Sequence, residues 1–154
     1  MHNENRMPTD PTCVFCRIVE GKAEASLLYR DDRVTAFMDT RPVNPGHALV
    51  IPNDHSPDLA GLDPVTGGAM FAVAQRLGAA LRQSGVGCQG VNLYLADGLA
   101  AGQEVLHIHL HVVPRFVGDG FGLRRVHPPQ HPHREDLDAI ANQIRAALGG
   151  QPRP

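Results

Sequence analysis

The sequence predicts an α+β domain, in which a single five-stranded antiparallel sheet carries one long helix and is followed by a C-terminal helix. Short apolar segments follow one another closely before residue 52, which favours an antiparallel arrangement. After Asp63, apolar residues recur at helical spacing. Residues 105–112 alternate strictly between apolar and polar positions, which is the period of an extended strand. These three patterns together predict the fold class.

The first three strands are predicted from short runs rich in apolar and β-branched residues. Residues 27–29 and 34–39 flank a charged turn at 30–33. A loop then leads to a third strand at 47–51, which we expect Pro52 to end. Three strands in such close succession predict a meander.

The long helix is predicted to begin at Asp63 and Pro64, because an acidic N-cap followed by proline at the first helical position is a strong start signal. Gly85 ends the helical pattern. The apolar stripe of this helix consists of Met70, Val73, Leu77 and Leu81. Residues 91–95 are predicted as the fourth strand, the alternating segment as the fifth, and residues 134–148 as the C-terminal helix.

The length of 154 residues predicts one domain, residues 13–148, between a flexible N-terminal arm at 1–12 and a tail at 149–154. The histidine- and proline-containing segment 117–133 is predicted as an exposed loop rather than a second metal site. A formal net charge of −2 argues against a nucleic-acid partner. No apolar run approaches the ~20 residues that span a membrane. Three cysteines do not form the disulfide framework of secreted domains, so we expect a cytoplasmic protein.

Three histidines, His107, His109 and His111, alternate with apolar residues in the fifth strand. On a strand they share one face, and neighbouring imidazoles start about 6.6 Å apart. We expect Pro114 to end the strand, because it cannot donate to a ladder. A metal held by all three is disfavoured, since residues two and four apart on one strand diverge. A histidine-rich solvent face and, more weakly, a metal-dependent oxygenase are the alternatives.

A small-residue loop at 98–103 leads directly into the histidine segment. Glycines in such a loop allow backbone amides to approach an anion closely. Beside a row of imidazoles, the loop suggests a phosphate held next to a nucleophile.

Cys13 and Cys16 form a Cys-x-x-Cys pair. Such a pair can be a redox dithiol, half of a zinc site or a coincidence. The surrounding residues lack the strand-then-helix context of a thioredoxin-like motif. His55 and His107 could complete a zinc site, but their distance along the chain is too long to be diagnostic by itself.

The histidine segment carries the longer motif Ala101-Gly102-Gln103-x-x-x-His107-x-His109-x-His111-x-x-Pro114-Arg115. This motif resembles the signature of the histidine triad (HIT) family of nucleotide hydrolases and transferases. The resemblance implies an enzyme that acts at the α-phosphorus of dinucleoside polyphosphates or related nucleotide conjugates through a covalent nucleotidyl-histidine intermediate. It implies that His109 attacks, His111 orients the phosphate, and Gln103 stabilises developing charge. Nucleoside phosphoramidate hydrolysis and a nucleotide-binding module with little turnover are the alternatives.

The resemblance also implies a metal centre. One bacterial branch of the family binds zinc through a cysteine pair, a histidine after the third strand and the first histidine of the triad. The corresponding residues here are Cys13, Cys16, His55 and His107. Four protein ligands with no open position would make the zinc structural.

Further residues are implied by the resemblance to bind a nucleotide, with a purine as its base. Asp39 would accept hydrogen bonds from the ribose hydroxyls, Phe15 and Phe37 would line the base pocket, and His47 would support the triad. Ala96 stands where two branches of the family carry an amide side chain near the substrate phosphates, so that contact is lost here. The family pairs two subunits into one larger sheet, which implies a homodimer.

Overall fold

The structure is a computed structural model, and it describes residues 9–122 and 131–149. Its helices are α1 (Val14–Val19), α2 (Pro64–Gln83) and α3 (Arg134–Ala147), with a short 3₁₀ turn at Leu99–Ala101. Its strands are β1 (Leu27–Arg30), β2 (Val34–Met38), β3 (Ala48–Pro52), β4 (Gly90–Leu95) and β5 (Leu110–Arg115).

The strands form one antiparallel sheet in the order β1-β2-β3-β5-β4. This confirms the predicted α+β class, and both the long helix and the C-terminal helix are present. The meander of β1 to β3 is also confirmed, with strand ends that differ from the predicted ones by one residue. At the start of α2, the Asp63 carboxylate accepts a hydrogen bond from the backbone N–H of Thr66, as expected of an N-cap.

The sheet is covered on both faces around β2 and β3. On one face, Val34 and Val50 belong to a core cluster that includes Met70 and Val73 of α2. On the other face, residues of the same strands pack with α1, in a second cluster that includes Phe15, Ile18, Phe37, Leu49 and Ile51. Burial on both faces explains why these strands read as continuous apolar runs. The register pairs Leu49 with His111, at the position on β3 that lies on the α1 side.

The prediction for the triad strand was wrong in two respects. β5 begins only at Leu110, so His107 and His109 precede it; in this stretch the N–H of Ile108 donates to the Ser56 carbonyl, 2.7 Å away, in a loop. The strand also continues through Pro114 to Arg115 instead of ending there. Proline is tolerated because the pairing of β5 with β3 ends at Val112, and from there β5 pairs with β4 alone.

The sequence reasoning did not predict α1. This helix has six residues, too few for an apolar period to be recognised, and its N-cap Cys13 makes no side-chain capping bond. The helix sets the direction of two side chains of the Cys-x-x-Cys segment, since Phe15 and Cys16 are both buried.

The chain divides into two compact units, with the boundary after Gly120. The sheet, α1 and α2 belong to the first unit, and α3 to the second. Acidic residues Glu135 and Asp136 lie in the first turn of α3, where they complement the helix dipole. The arm at 1–12 and the loop at 117–133, which includes His127, fall partly outside the described residues. Within the described parts of the chain, no helix is both long and apolar enough to cross a bilayer.

Candidate active site and metal centre

Four predicted metal ligands lie together on the α1 side of the sheet. Cys13 is the N-cap of α1 and Cys16 lies within that helix. His55 comes from the loop after β3, and His107 from the segment before β5. The Nδ1 atom of His107 lies 3.5 Å from the Sγ of Cys13 and 3.6 Å from that of Cys16, and the Nδ1 of His55 lies 3.3 Å from the Cys16 sulfur. Around a tetrahedral zinc with bonds of about 2.0–2.3 Å, neighbouring ligand atoms are about 3.3–3.8 Å apart. The donor set and its spacing fit zinc.

The ring of His107 is held in the state that a metal ligand requires. Its Nε2–H donates to the Pro52 carbonyl, at 2.9 Å, so the lone pair is on Nδ1, which faces the two thiols. Burial lowers the pKa of His107 to about 4, and the ring is therefore neutral at neutral pH. Burial also raises the pKa of the Cys16 thiol to about 11, so metal binding at this site must release protons.

His109 is oriented by the same backbone segment. Its Nδ1–H donates to the carbonyl of His107, 2.7 Å away, which leaves the lone pair of the neutral ring on Nε2. The side chain is 6% exposed and lines a cavity of about 530 Å³. The Phe15 ring packs edge-on against it at a centroid distance of 5.2 Å. In the neutral form of the ring, Nε2 is therefore the acceptor nitrogen, and the contacts leave the ring little freedom to turn.

His111 has the tautomer opposite to that of His109. Its tautomer is set by His47, whose own tautomer is set by a backbone N–H. The N–H of Val43 donates to Nδ1 of His47 at 3.0 Å, so His47 carries its proton on Nε2. That Nε2–H donates to Nδ1 of His111 at 2.9 Å, so His111 in turn carries its proton on Nε2. Burial lowers the pKa of both rings, that of His111 to about 4, so both are neutral. Of the two triad imidazoles that line the cavity, His109 is thus an acceptor and His111 a donor, with their ring centroids 4.9 Å apart.

Asp39, His47 and His111 also cluster closely enough to suggest a second metal site. The hydrogen bonds argue against it: His47 receives the Val43 N–H on Nδ1, so its Nε2 is protonated and has no lone pair to ligate a metal. The Asp39 carboxylate lies 3.5 Å from this Nε2. The hydrogen-bond chain that supports His111 runs from the Val43 N–H through His47, and the Asp39 carboxylate lies beside it.

The backbone before β3 places His47 beside the triad. Asn44 accepts the His47 N–H across a tight turn, and Gly46 occupies the left-handed region with φ +94°. A Cβ at Gly46 would lie 2.9 Å from the Leu81 side chain and 3.3 Å from Pro114. The left-handed conformation therefore favours glycine here, and any other side chain would also have to displace Leu81.

The cavity is lined by apolar and polar side chains together. Its apolar lining includes Val14, Phe15, Ile18, Phe37 and Leu49. Its polar lining includes Asp39 and the imidazoles of His47, His109 and His111. Apolar walls with convergent polar groups are typical of a small-molecule site.

Gln103 is brought close to the cavity but does not line it. Its Oε1 accepts the Gly98 N–H at 2.8 Å, and its Nε2 donates to the carbonyls of Pro57 and Val105 at 2.8 and 3.0 Å. Both amide hydrogens are thus engaged with backbone, and the side chain closes the loop 98–103. Direct stabilisation of a phosphate by Gln103 stays a prediction.

The sequence reasoning missed three residues at the site. Tyr94 of β4 stacks on His111 at a centroid distance of 4.1 Å and an angle of 11°, because the two residues are opposite each other in the register. Arg41 and Glu104 pair beside the cavity and also line it. The sequence contained one signal for Tyr94. It lies two residues before Ala96, the position that the resemblance places near the substrate phosphates, and residues two apart on a strand share a face. The pairing of Arg41 with Glu104 joins two loops and left no trace in the sequence.

Comparison with known proteins finds a matching family model and related sequences. The family model described as the HIT domain matches residues 20–118. An uncharacterized HIT-like protein of Borreliella burgdorferi is 41% identical over 114 residues, covering 73% of this chain and 82% of its own. The adenylylsulfatase HINT3 of Arabidopsis thaliana is 37% identical over 86% of this chain, which spans 65% of that relative's length.

Two solved structures are similar in fold. A Zn-bound histidine triad family protein from Mycobacterium smegmatis is 44% identical, with a TM-score of 0.70 over 88% of this chain and 97% of that one. A HIT family protein from Bacillus anthracis is 35% identical, with a TM-score of 0.81 over 90% of this chain and 99% of that one.

Proposed function

This chain belongs to the HIT domain family, and on that premise we propose that it is a nucleotide hydrolase that acts at the α-phosphorus of its substrate through a covalent bond to His109. The main support is the pair of opposite tautomers in the cavity. His109 presents an Nε2 lone pair, and His111 presents an Nε2–H. A nucleophile and a hydrogen-bond donor side by side are what substitution at phosphorus requires.

In the first step, the Nε2 lone pair of His109 attacks the α-phosphorus. The bond from phosphorus to the leaving group breaks, and its electron pair departs with that group. The His107 carbonyl stays hydrogen-bonded to Nδ1–H and stabilises the positive charge that develops on the ring. The Nε2–H of His111 donates to a non-bridging phosphate oxygen.

In the second step, water attacks the phosphorus of the nucleotidyl-histidine. The P–N bond breaks, its electron pair returns to Nε2 of His109, and the water's proton passes to solvent. The products are a nucleoside monophosphate and the leaving group, and His109 is restored as the neutral ring.

Dinucleoside polyphosphates and related nucleotide conjugates are the proposed substrates. The name of the Arabidopsis relative, an adenylylsulfatase, extends this class to a nucleotide joined to sulfate. Nucleoside phosphoramidates are a second candidate, because an amine leaving group needs a proton and His111 carries one on the nitrogen that faces away from His47.

The rest of the pocket would bind a purine nucleotide. Phe15 and Phe37, whose rings meet edge-on at a centroid distance of 5.4 Å, would contact the base. Asp39 would accept both ribose hydroxyls. His47 would act through His111, to which it donates.

Cys13, Cys16, His55 and His107 would hold a structural zinc ion. Two contacts would connect the zinc centre to the nucleotide site. Phe15 lies between the two cysteine ligands in sequence, and the carbonyl of the ligand His107 orients His109. A homodimer is proposed through β4, which is an edge strand of the sheet. We expect the protein in the cytoplasm.

The test is His109→Ala, with His131→Ala as a control for loss of an exposed histidine. His109→Ala should abolish turnover and leave nucleotide affinity nearly intact, because it removes the nucleophile and not the pocket. His111→Ala should slow the reaction. Rapid quench of the parent with substrate labelled on the α-phosphate should trap acid-labile label on protein. Multiple turnover by His109→Ala would exclude the covalent mechanism, and a parent that binds nucleotides without hydrolysing any would be a binding module.

A further inference from the structure

Arg41 and Glu104 form an ion pair beside the nucleotide cavity. Arg41 lies in the loop after β2, and Glu104 directly follows Gln103. The Nη2 of Arg41 is 2.5 Å from Oε2 of Glu104, and both residues line the cavity. Their side chains are 79% and 68% exposed, so the pair lies where the cavity opens to solvent.

The backbones of both residues are held by hydrogen bonds in their neighbourhood, whereas their side chains are mostly exposed. The N–H of Arg41 donates to the Asp39 carboxylate at 2.8 Å, and Glu104 is next to Gln103, whose amide is held by three backbone groups. Exposed ion pairs contribute little to stability, because solvent screens them and ordering the side chains opposes them. A ligand at the cavity can therefore take Arg41 from Glu104 at small cost.

The charges around the cavity favour the transfer of Arg41 from Glu104 to an anionic ligand. Among the described residues that line it, the carboxylates are Glu24, Asp39 and Glu104, and the sole permanent cation is Arg41. The imidazoles of His47 and His111 are neutral, since burial lowers the pKa of each. An anionic leaving group thus meets mainly negative charge unless Arg41 pairs with it.

We propose that Arg41 is the receptor for the leaving group, that Glu104 holds it in the free protein, and that this pair selects nucleotides joined to a phosphate or sulfate oxyanion. This assignment deepens the proposed function and rests on it. When the P–O bond breaks, the electron pair stays on the leaving oxygen, and the guanidinium offsets that charge without giving up a proton. Its planar donors match the geometry of phosphate and sulfate oxygens. An amine leaving group would instead need a proton, which arginine cannot supply.

The kinetic experiment compares adenylyl sulfate with an adenosine phosphoramidate of an uncharged amine. Arg41→Gln should lower the ratio of the two kcat/KM values about 10- to 100-fold, the range for loss of a hydrogen bond to a charged group. Glu104→Gln should raise the same ratio, because it removes the competing carboxylate. Arg33→Gln is the control, since Arg33 also pairs with an exposed carboxylate, that of Asp63, away from the cavity. An unchanged ratio in Arg41→Gln, or a lowered ratio in Glu104→Gln, would overturn the assignment.

A binding experiment separates this assignment from the chemistry. In a His109→Ala background, the ratio of the dissociation constants of adenylyl sulfate and AMP should rise about 10- to 100-fold on Arg41→Gln. If the parent hydrolyses neither compound but this ratio changes as expected, the proposed hydrolase function fails and the oxyanion receptor stands. If the parent hydrolyses both and neither ratio changes, the receptor role fails and the hydrolase stands.

Discussion

Substitution of Cys16 tests the metal centre most directly. Cys16 is fully buried and lies within 3.6 Å of the Nδ1 atoms of both His55 and His107. Cys16→Ala therefore removes the proposed ligand that lies next to both imidazole ligands, and it should abolish zinc binding. Cys88 is a matched control, because it is also a buried free thiol but lies outside the ligand group.

The expected loss of stability follows from linkage between metal binding and folding. The ligand atoms already have near-tetrahedral spacing, so we expect zinc to bind the folded chain with little rearrangement. At free zinc about 1,000 times the dissociation constant, preferential binding to the folded state adds about 4 kcal/mol. For a domain of this size, each kcal/mol shifts the unfolding midpoint by about 2–4 °C. Cys16→Ala should therefore unfold about 8–16 °C below Cys88→Ala in the presence of zinc.

The assay combines elemental analysis with thermal unfolding followed by circular dichroism. Parent and Cys88→Ala, purified without chelator or added metal, should each contain roughly one zinc per chain, as a four-ligand site requires. A strong chelator should lower their unfolding midpoints and leave that of Cys16→Ala unchanged. A Cys16→Ala protein that retains its zinc, or a parent whose stability is insensitive to the chelator, would refute the four-ligand centre.

Two further predictions concern Asp39 and His111, which both line the cavity. Asp39→Ala should weaken AMP binding by about 1.5–3 kcal/mol, the usual range for hydrogen bonds to a charged group, and should abolish the parent's preference for AMP over 2′-deoxy-AMP in calorimetry. Equal affinity of the parent for both sugars would exclude the ribose contact. The pKa of His111 falls from 6.5 to about 4 on folding, so between these values the unfolded chain binds more protons than the folded one. Stability should accordingly decrease as pH falls from 6.5 towards 4, by up to about 1.4 kcal/mol per pH unit for this one proton. Denaturant unfolding at neutral pH and at pH 5 should show a smaller decrease in His111→Asn, and an equal decrease would contradict the assignment to His111.

The sequence alone predicted the elements whose signals are local. Helix α2 was predicted because its N-cap, its proline and its apolar stripe lie within one continuous segment. The three strands of the meander were predicted for the same reason, since short runs and turn residues act over a few positions. The helix α1 was missed because six residues are too few to show a period.

The alternation around the triad predicted side-chain direction but not backbone pairing. A two-residue repeat implies only that neighbouring side chains point to opposite sides, and any extended segment has this property. It cannot say whether the backbone bonds to a strand or to a loop. His107 and His109 therefore alternate as predicted while their segment bonds to Ser56 rather than to a neighbouring strand.

The chemistry of the site was decided by contacts between residues distant in the chain. Cys13 and His107 are 94 residues apart, and His47 and His111 are 64 apart. Residue types could nominate these side chains through a family signature. The nitrogen that carries each proton depends instead on which backbone group or ring lies against it, since a carbonyl requires a donor and an N–H requires an acceptor. Only the tertiary structure brings those partners together, and so it alone makes His109 an acceptor and His111 a donor.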